Sequence, residues 1–204
     1  MNWRRDIPWS MVVGRALLGP VIAVVAARVV FAEPWLGLMV LAGFFSDVYD
    51  GILARRWGTE TSALRIGDSA ADTVFYLGIL AAVVLRAWPV LREQLALVAA
   101  LLALEVIRWI FDWLKYRRMA SYHTYASKFW GILLAAAALA TLAFRGPYWV
   151  LTLALGWGIL CDLEGLTMSV LLPRWTRDVK TLRRAWGLRR KMIADGSGGS
   201  SDAR

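Results

Sequence analysis

Apolar residues run along this chain in blocks of about twenty, separated by short clusters of charge, proline or glycine. A block of that length crosses the roughly 30 Å hydrocarbon core of a bilayer as an α-helix, since each residue advances about 1.5 Å. Six such segments can be drawn, at 11–31, 35–55, 66–85, 94–114, 128–145 and 147–172. Pro34 and Pro147 mark tight turns, and Ala87-Trp88-Pro89 reads as the loop after the third segment. The pattern predicts an all-α integral membrane protein of six transmembrane helices with interfacial N- and C-terminal segments. Residues 1–172 form the six-helix domain in this reading. Residues 173–194 form a basic interfacial helix, where Arg174, Arg177, Lys180, Arg183 and Arg184 interleave with Trp175, Val179, Leu182 and Trp186. Residues 195–204, which open on a Gly/Ser-rich stretch, read as a disordered tail.

Composition strengthens the membrane assignment. Of 204 residues, 59% are hydrophobic and 12 are Trp. Several of these, among them Trp3, Trp9, Trp35, Trp88, Trp113, Trp130, Trp149 and Trp175, fall near segment ends, as interfacial aromatic belts do. The net charge of +9 would suggest nucleic acid in a soluble protein; beside these apolar runs it points to anionic membrane lipid. The single cysteine, Cys161, excludes an intramolecular disulfide. Lys and Arg cluster at one set of segment ends, including Arg4, Arg5, Arg55, Arg56, Arg65, Lys115, Arg117, Arg118 and Lys128. The other side holds Arg28, Arg86, Arg92 and Arg145. The positive-inside rule then places both termini in the cytoplasm, with a bacterial cytoplasmic membrane as the expected location.

Charge inside the spans changes the picture. Asp47, Asp50, Asp68 and Asp72 lie where hydropathy would bury them in lipid. A charged side chain at a helix centre costs roughly 2.5–3.5 kcal/mol on insertion scales, so four of them require counter-charge. Asp47 and Asp50 are three residues apart and Asp68 and Asp72 four apart, so each pair shares one helix face. Two such faces meeting would surround a divalent cation, and hard oxygen donors suit Mg²⁺ or Mn²⁺. The other intramembrane charges, Arg15, Glu105, Arg108, Asp112, Lys128, Asp162 and Glu164, fall in the same cytoplasmic half. That one-sided layer suits a cavity open to the cytosol. A channel would need polar lining at both ends.

The string Asp47-x2-Asp50-Gly51-x2-Ala54-Arg55 followed by Asp68-x3-Asp72 resembles the signature of the CDP-alcohol phosphotransferase family, D-x2-D-G-x2-A-R-x8-G-x3-D-x3-D. Leu64 stands where the pattern has its second Gly, although Gly67 lies directly before Asp68. A weaker likeness covers the first segment, where Pro8 precedes Arg15 by seven residues; the family often has Asn and Thr at the sites of Trp9 and Val12. Ser127-Lys128 resembles a Ser and Lys found near the start of the family's fifth helix, and Asp178-Val179-Lys180 a tail motif.

The resemblance implies a metal-dependent enzyme of phospholipid biosynthesis, a homodimer that binds no nucleic acid. It would transfer a phosphatidyl-type group from a CDP-linked lipid, CDP-diacylglycerol in the usual case, to an alcohol acceptor and release CMP. It implies metal ligands at Asp47, Asp50, Asp68 and Asp72, with Asp72 also the catalytic base. CDP contacts are implied for Asp50, Gly51, Ala54, Arg55 and Gly67, the last expected to supply the room that Leu64 removes. Arg15, Arg108 and Lys128 are the candidates for acceptor or lipid phosphate. For Arg15 the competing reading is a snorkelling interfacial side chain; for Lys128 it is a positive-inside anchor. Glu105 and Lys115 read more simply as ion-pair partners that let their helix insert, and Asp162 and Glu164 as partners of Arg108 or Lys128. His123, the only His, reads as a solvated loop side chain. A divalent-cation transporter, or another metal-dependent membrane enzyme acting on lipid phosphates, would also want clustered Asp.

Overall fold

A computed structural model describes residues 3–118, 122, 124–176 and 179–198 of the chain. His123 and Asp178 therefore lie outside the described residues. Eight helices follow one another: α1 (Trp3–Arg28), α2 (Glu33–Trp57), α3 (Ser62–Arg86), α4 (Trp88–Glu93), α5 (Leu95–Tyr116), α6 (Tyr125–Leu142), α7 (Trp149–Leu171) and α8 (Leu182–Gly198). No strand occurs among the described residues.

Five helices, α1, α2, α3, α6 and α7, are long and apolar enough to cross a membrane. The sequence pattern predicts six. The sixth candidate, α5, has the length, at 22 residues, but carries Glu105, Arg108, Asp112 and Lys115 on successive turns. Charge, not length, separates it from the others. Two further differences are local. The residues read as a loop at Ala87-Trp88-Pro89 open the short helix α4, with Pro89 in the first turn, where its missing N–H is not needed. Helix α1 starts at Trp3 and runs through Pro8, so the charged residues before the apolar run are helical too. The basic C-terminal helix begins at Leu182 rather than at 173 and is described as far as Gly198.

The chain divides into two compact units. The first comprises Met1–Glu93 with Leu134–Leu151. Within it, α1 and α3 touch backbone to backbone. A Cβ on Gly78 would lie 2.1 Å from the carbonyl oxygen of Gly19, and one on Gly19 would lie 2.4 Å from that of Val74. Only a residue without a side chain permits such an approach, the usual device where lipid-embedded helices pack closely. Gly43 of α2 leaves room for the Phe75 ring in the same way. Ser46 Oγ donates to the Met11 carbonyl at 3.1 Å and ties α2 to α1. At the other end of α1, the Arg86 guanidinium donates to the carbonyls of Ala26, Val29 and Val30, placing a cation at a helix C-terminus. Arg145 pairs with Glu33.

The second unit comprises Gln94–Leu133 with Thr152–Arg204. Trp130 Nε1 donates to the Ala154 carbonyl at 2.9 Å and Trp157 Nε1 to that of Ala126 at 3.1 Å, fastening α6 to α7. Lys115 Nζ reaches the Ser169 carbonyl at 2.6 Å. Met168, Leu172, Val179 and Ala185 form a buried cluster with Tyr122 and Leu188 against it, so α8 has an apolar seat as well as a basic face. Burial raises the Tyr122 phenol above its ordinary pKa. Many large apolar side chains stay exposed along the spans, among them Leu17, Leu38, Leu77, Leu102 and Leu160, as lipid-facing helices require.

Candidate active site

The site is built at the α2–α3 turn. Gly58 ends α2 in the left-handed conformation, φ 63°, and its amide reaches back to the carbonyls of Ala54 and Arg55. Thr61 caps α3, its hydroxyl accepting from Leu64 N at 3.1 Å. This short connection makes α2 and α3 antiparallel neighbours. Asp50 lies seven residues before the end of α2 and Asp68 six after the start of α3. Both therefore stand about 10 Å along their helices from the same turn, at one depth.

Arg15 of α1 occupies the centre. Its side chain is 1% exposed and faces all four carboxylates. Nη1 lies 2.9 Å from Asp47 Oδ1 and 3.1 Å from Asp50 Oδ2, Nη2 pairs with Asp68 Oδ1, and Nε lies 3.0 Å from Asp72 Oδ1. The snorkelling reading of Arg15 does not describe this position, since snorkelling would carry its guanidinium out to water. Asp50 is nearly enclosed, while Asp47, Asp68 and Asp72 keep partial exposure. One guanidinium against four carboxylates leaves three formal negative charges uncompensated by Arg15.

That deficit is where a metal fits. Oxygens of Asp47, Asp50 and Asp68 all lie within 4.8 Å of one another. Hard carboxylate donors at that spacing suit a small divalent cation. Asp50 Oδ2 is buried and makes no hydrogen bond, so its charge is available to a further partner. Asp72 stands outside the group of three and is held by Arg15 Nε.

The residues expected to make room for a nucleotide are all covered by other side chains. A Cβ on Gly51 would lie 3.3 Å from the guanidinium of Arg55, which folds back over it. Ala54 is buried against Val12, Leu64 and Ala71. The gap at Gly67 is filled by the Trp9 ring, 3.0 Å from where a Cβ would stand. Of the other expected cations, Arg108 and Lys128 belong to the second unit. Arg108 pairs with Glu105 at 2.6 Å and lies 3.6 Å from Asp162, as the ion-pair reading of that helix anticipates. Lys128 is exposed in the first turn of α6.

Sequence reasoning lacked the link between Arg15 and the carboxylates. Its only signal was a charge sharing their depth on a different helix.

No curated protein and no solved structure matches the chain. The family model for CDP-alcohol phosphatidyltransferase matches residues 5–171, a stretch that contains Arg15, all four aspartates and every transmembrane helix but the first two residues of α1. The chain belongs to the CDP-alcohol phosphatidyltransferase family and is a transferase whose carboxylate cluster suits metal-assisted phosphotransfer.

Proposed function

We propose that this protein transfers a phosphatidyl-type group from CDP-diacylglycerol to an alcohol acceptor, with release of CMP, and depends on Mg²⁺ or Mn²⁺. The observation that carries the reading is the gathering of Asp47, Asp50 and Asp68 oxygens within 4.8 Å, inside helices that belong in lipid. Those three carboxylates are the proposed metal ligands. A divalent ion held there supplies positive charge for the donor diphosphate and for the departing CMP.

The remaining chemistry falls to the chain. An alcohol is a poor nucleophile at neutral pH, so a base at the hydroxyl contributes about 10²–10⁴-fold. Asp72 takes that proton. The acceptor oxygen forms a bond to the β-phosphorus, and the bond from that phosphorus to the CMP oxygen breaks, CMP leaving with the electron pair. Arg15 Nε, 3.0 Å from Asp72 Oδ1, fixes the direction of the base. Arg55, exposed beside Gly51, is free to unfold toward the nucleotide phosphates. Arg108 and Lys128 are proposed for an acceptor phosphate, and Arg15 for the lipid phosphate at the edge of the cluster.

In the same reading α5 is the sixth span. Its 22 residues reach about 33 Å, and Glu105, Arg108 and Asp162 offset one another's charge. The protein acts as a homodimer in a bacterial cytoplasmic membrane, with both termini and the carboxylates on the cytoplasmic side. An acceptor screen tests the function: purified protein, CDP-diacylglycerol, Mg²⁺ or Mn²⁺, and a panel including glycerol phosphate, inositol phosphate, inositol and serine. Acceptor-dependent CMP release is expected. Cation uptake into proteoliposomes without CMP release under any acceptor would replace this reading with transport.

A further inference from the structure

Three positions at which this chain departs from the family pattern meet in one place. Trp9 and Val12 stand where Asn and Thr are frequent, and Leu64 stands where the signature has Gly. Val12 and Leu64 are buried together with Ala54 and Ala71, and Trp9 packs against them. Trp9 also lies flat enough on α3 to fill the gap at Gly67, with ring carbons 3.0 and 3.2 Å from the absent Cβ. The three departures are thus one feature, an apolar plug joining α1, α2 and α3.

The plug sits beyond the carboxylates, toward the α2–α3 turn. Ala54 is four residues from Asp50, Leu64 four from Asp68, and Trp9 six from Arg15. Those separations correspond to about 6–9 Å along the helices. A nucleotide whose phosphates reach the carboxylates would bring its sugar and base to this level. What it meets is hydrocarbon: among the plug side chains, only the Trp9 indole N–H can hydrogen-bond. Apolar contact separates similar ligands only about 10–200-fold, whereas a site that hydrogen-bonds the distinguishing group reaches about 10⁴–10⁵.

We propose that Trp9 and Leu64 close the nucleoside end of this site, so that the donor is held by its diphosphate and its lipid while its base is read weakly. The proposal rests on the phosphotransferase reading above and deepens it, naming Trp9 and Leu64 as the residues that set nucleotide specificity. They touch neither the metal ligands' charges nor the acceptor.

The test uses the full chain in lipid nanodiscs with Mn²⁺, and soluble CMP, UMP and AMP as probes in calorimetric titrations. The wild type is expected to bind the three within about tenfold of one another. The double variant Trp9→Asn, Leu64→Gly is expected to bind CMP at least about tenfold more tightly than the wild type. Leu64→Ala, a milder change that leaves backbone freedom alone, is expected to tighten it about threefold. Mn²⁺ affinity, followed by electron paramagnetic resonance, should stay within twofold in a variant that is folded; if the double variant loses it, Leu64→Ala decides. CMP binding more than a hundredfold tighter than UMP in the wild type overturns the proposal. So does weaker CMP binding in a variant that still holds Mn²⁺. CMP release from CDP-diacylglycerol by the wild type, measured on the same preparation, tests the parent reading separately. If the wild type neither releases CMP nor binds any of the three nucleotides, both readings fall together.

Discussion

Replacing Arg15 with Gln tests the electrostatic core of the site. The side chain is 1% exposed and is the cation shared by Asp47, Asp50, Asp68 and Asp72. Breaking a buried ion pair costs about 3–5 kcal/mol, because a charge is left behind without a partner. Asp50, at 6% exposure, meets that condition; the other three, at 37–46%, recover part of the loss from water. The lower end, about 3 kcal/mol, is therefore expected in chelator. For a chain of this size that lowers Tm by about 6–12 °C. The effect of metal should run the other way. In the wild type an incoming divalent ion competes with the guanidinium for the same oxygens, and in Arg15→Gln it does not. Mn²⁺ affinity should rise at least about tenfold, or about 1.4 kcal/mol. Thermal melts in chelator and in saturating Mn²⁺, with a Mn²⁺ titration, read both effects. A variant that melts within 2 °C (roughly half a kilocalorie) of the wild type in chelator, or that binds Mn²⁺ more weakly, would refute the placement of Arg15 as the counter-ion of the cluster.

Asp47→Asn, Asp50→Asn and Asp68→Asn should each abolish CMP release, and release that persists in excess chelator would sink the metal requirement. Asp72→Asn should keep Mn²⁺ affinity within about threefold yet lose at least about a hundredfold in turnover; a parallel loss of metal binding would make Asp72 a ligand instead. Gly78→Ala should destabilise by at least about 1–3 kcal/mol, since its new Cβ meets the Gly19 backbone rather than a side chain able to turn away; an unchanged melt would show that α1 and α3 lie further apart. Both termini should be cytoplasmic: on a Cys161→Ala background, a Cys at Ser200 should resist an impermeant thiol reagent in intact cells, and rapid labelling would reverse the topology.

The spans were legible because hydropathy and helix length are one-dimensional quantities. The expected segment 35–55 is α2, Glu33–Trp57, and 66–85 is α3, Ser62–Arg86. The same measure missed the first turns of α1, where Arg4, Arg5, Asp6 and Pro8 hide a helix that continues past the apolar run. The Asp pairing was legible from helical spacing within each segment. The partner of those aspartates was not, because Arg15 is 32 residues from Asp47 and 53 from Asp68, and no local period links them. Gly67 shows the same limit. Its position beside Asp68 suggested room for a ligand, and only the packing of α1 assigns that room to Trp9.

Chain order gives the Arg15 arrangement a consequence for biogenesis. A nascent chain presents α1 first, so the guanidinium is already in the membrane region when Asp47 and Asp50 emerge. The acidic helix that follows is never without a cation within reach, and its two carboxylates can be offset as α2 partitions into lipid. The third helix then adds Asp68 and Asp72 to a pre-formed ion pair, and its Gly78 meets Gly19 to lock α1 in register. The side chain at the heart of the mature site thus also serves as a chaperone written into the sequence, delivered one helix ahead of the charges it escorts.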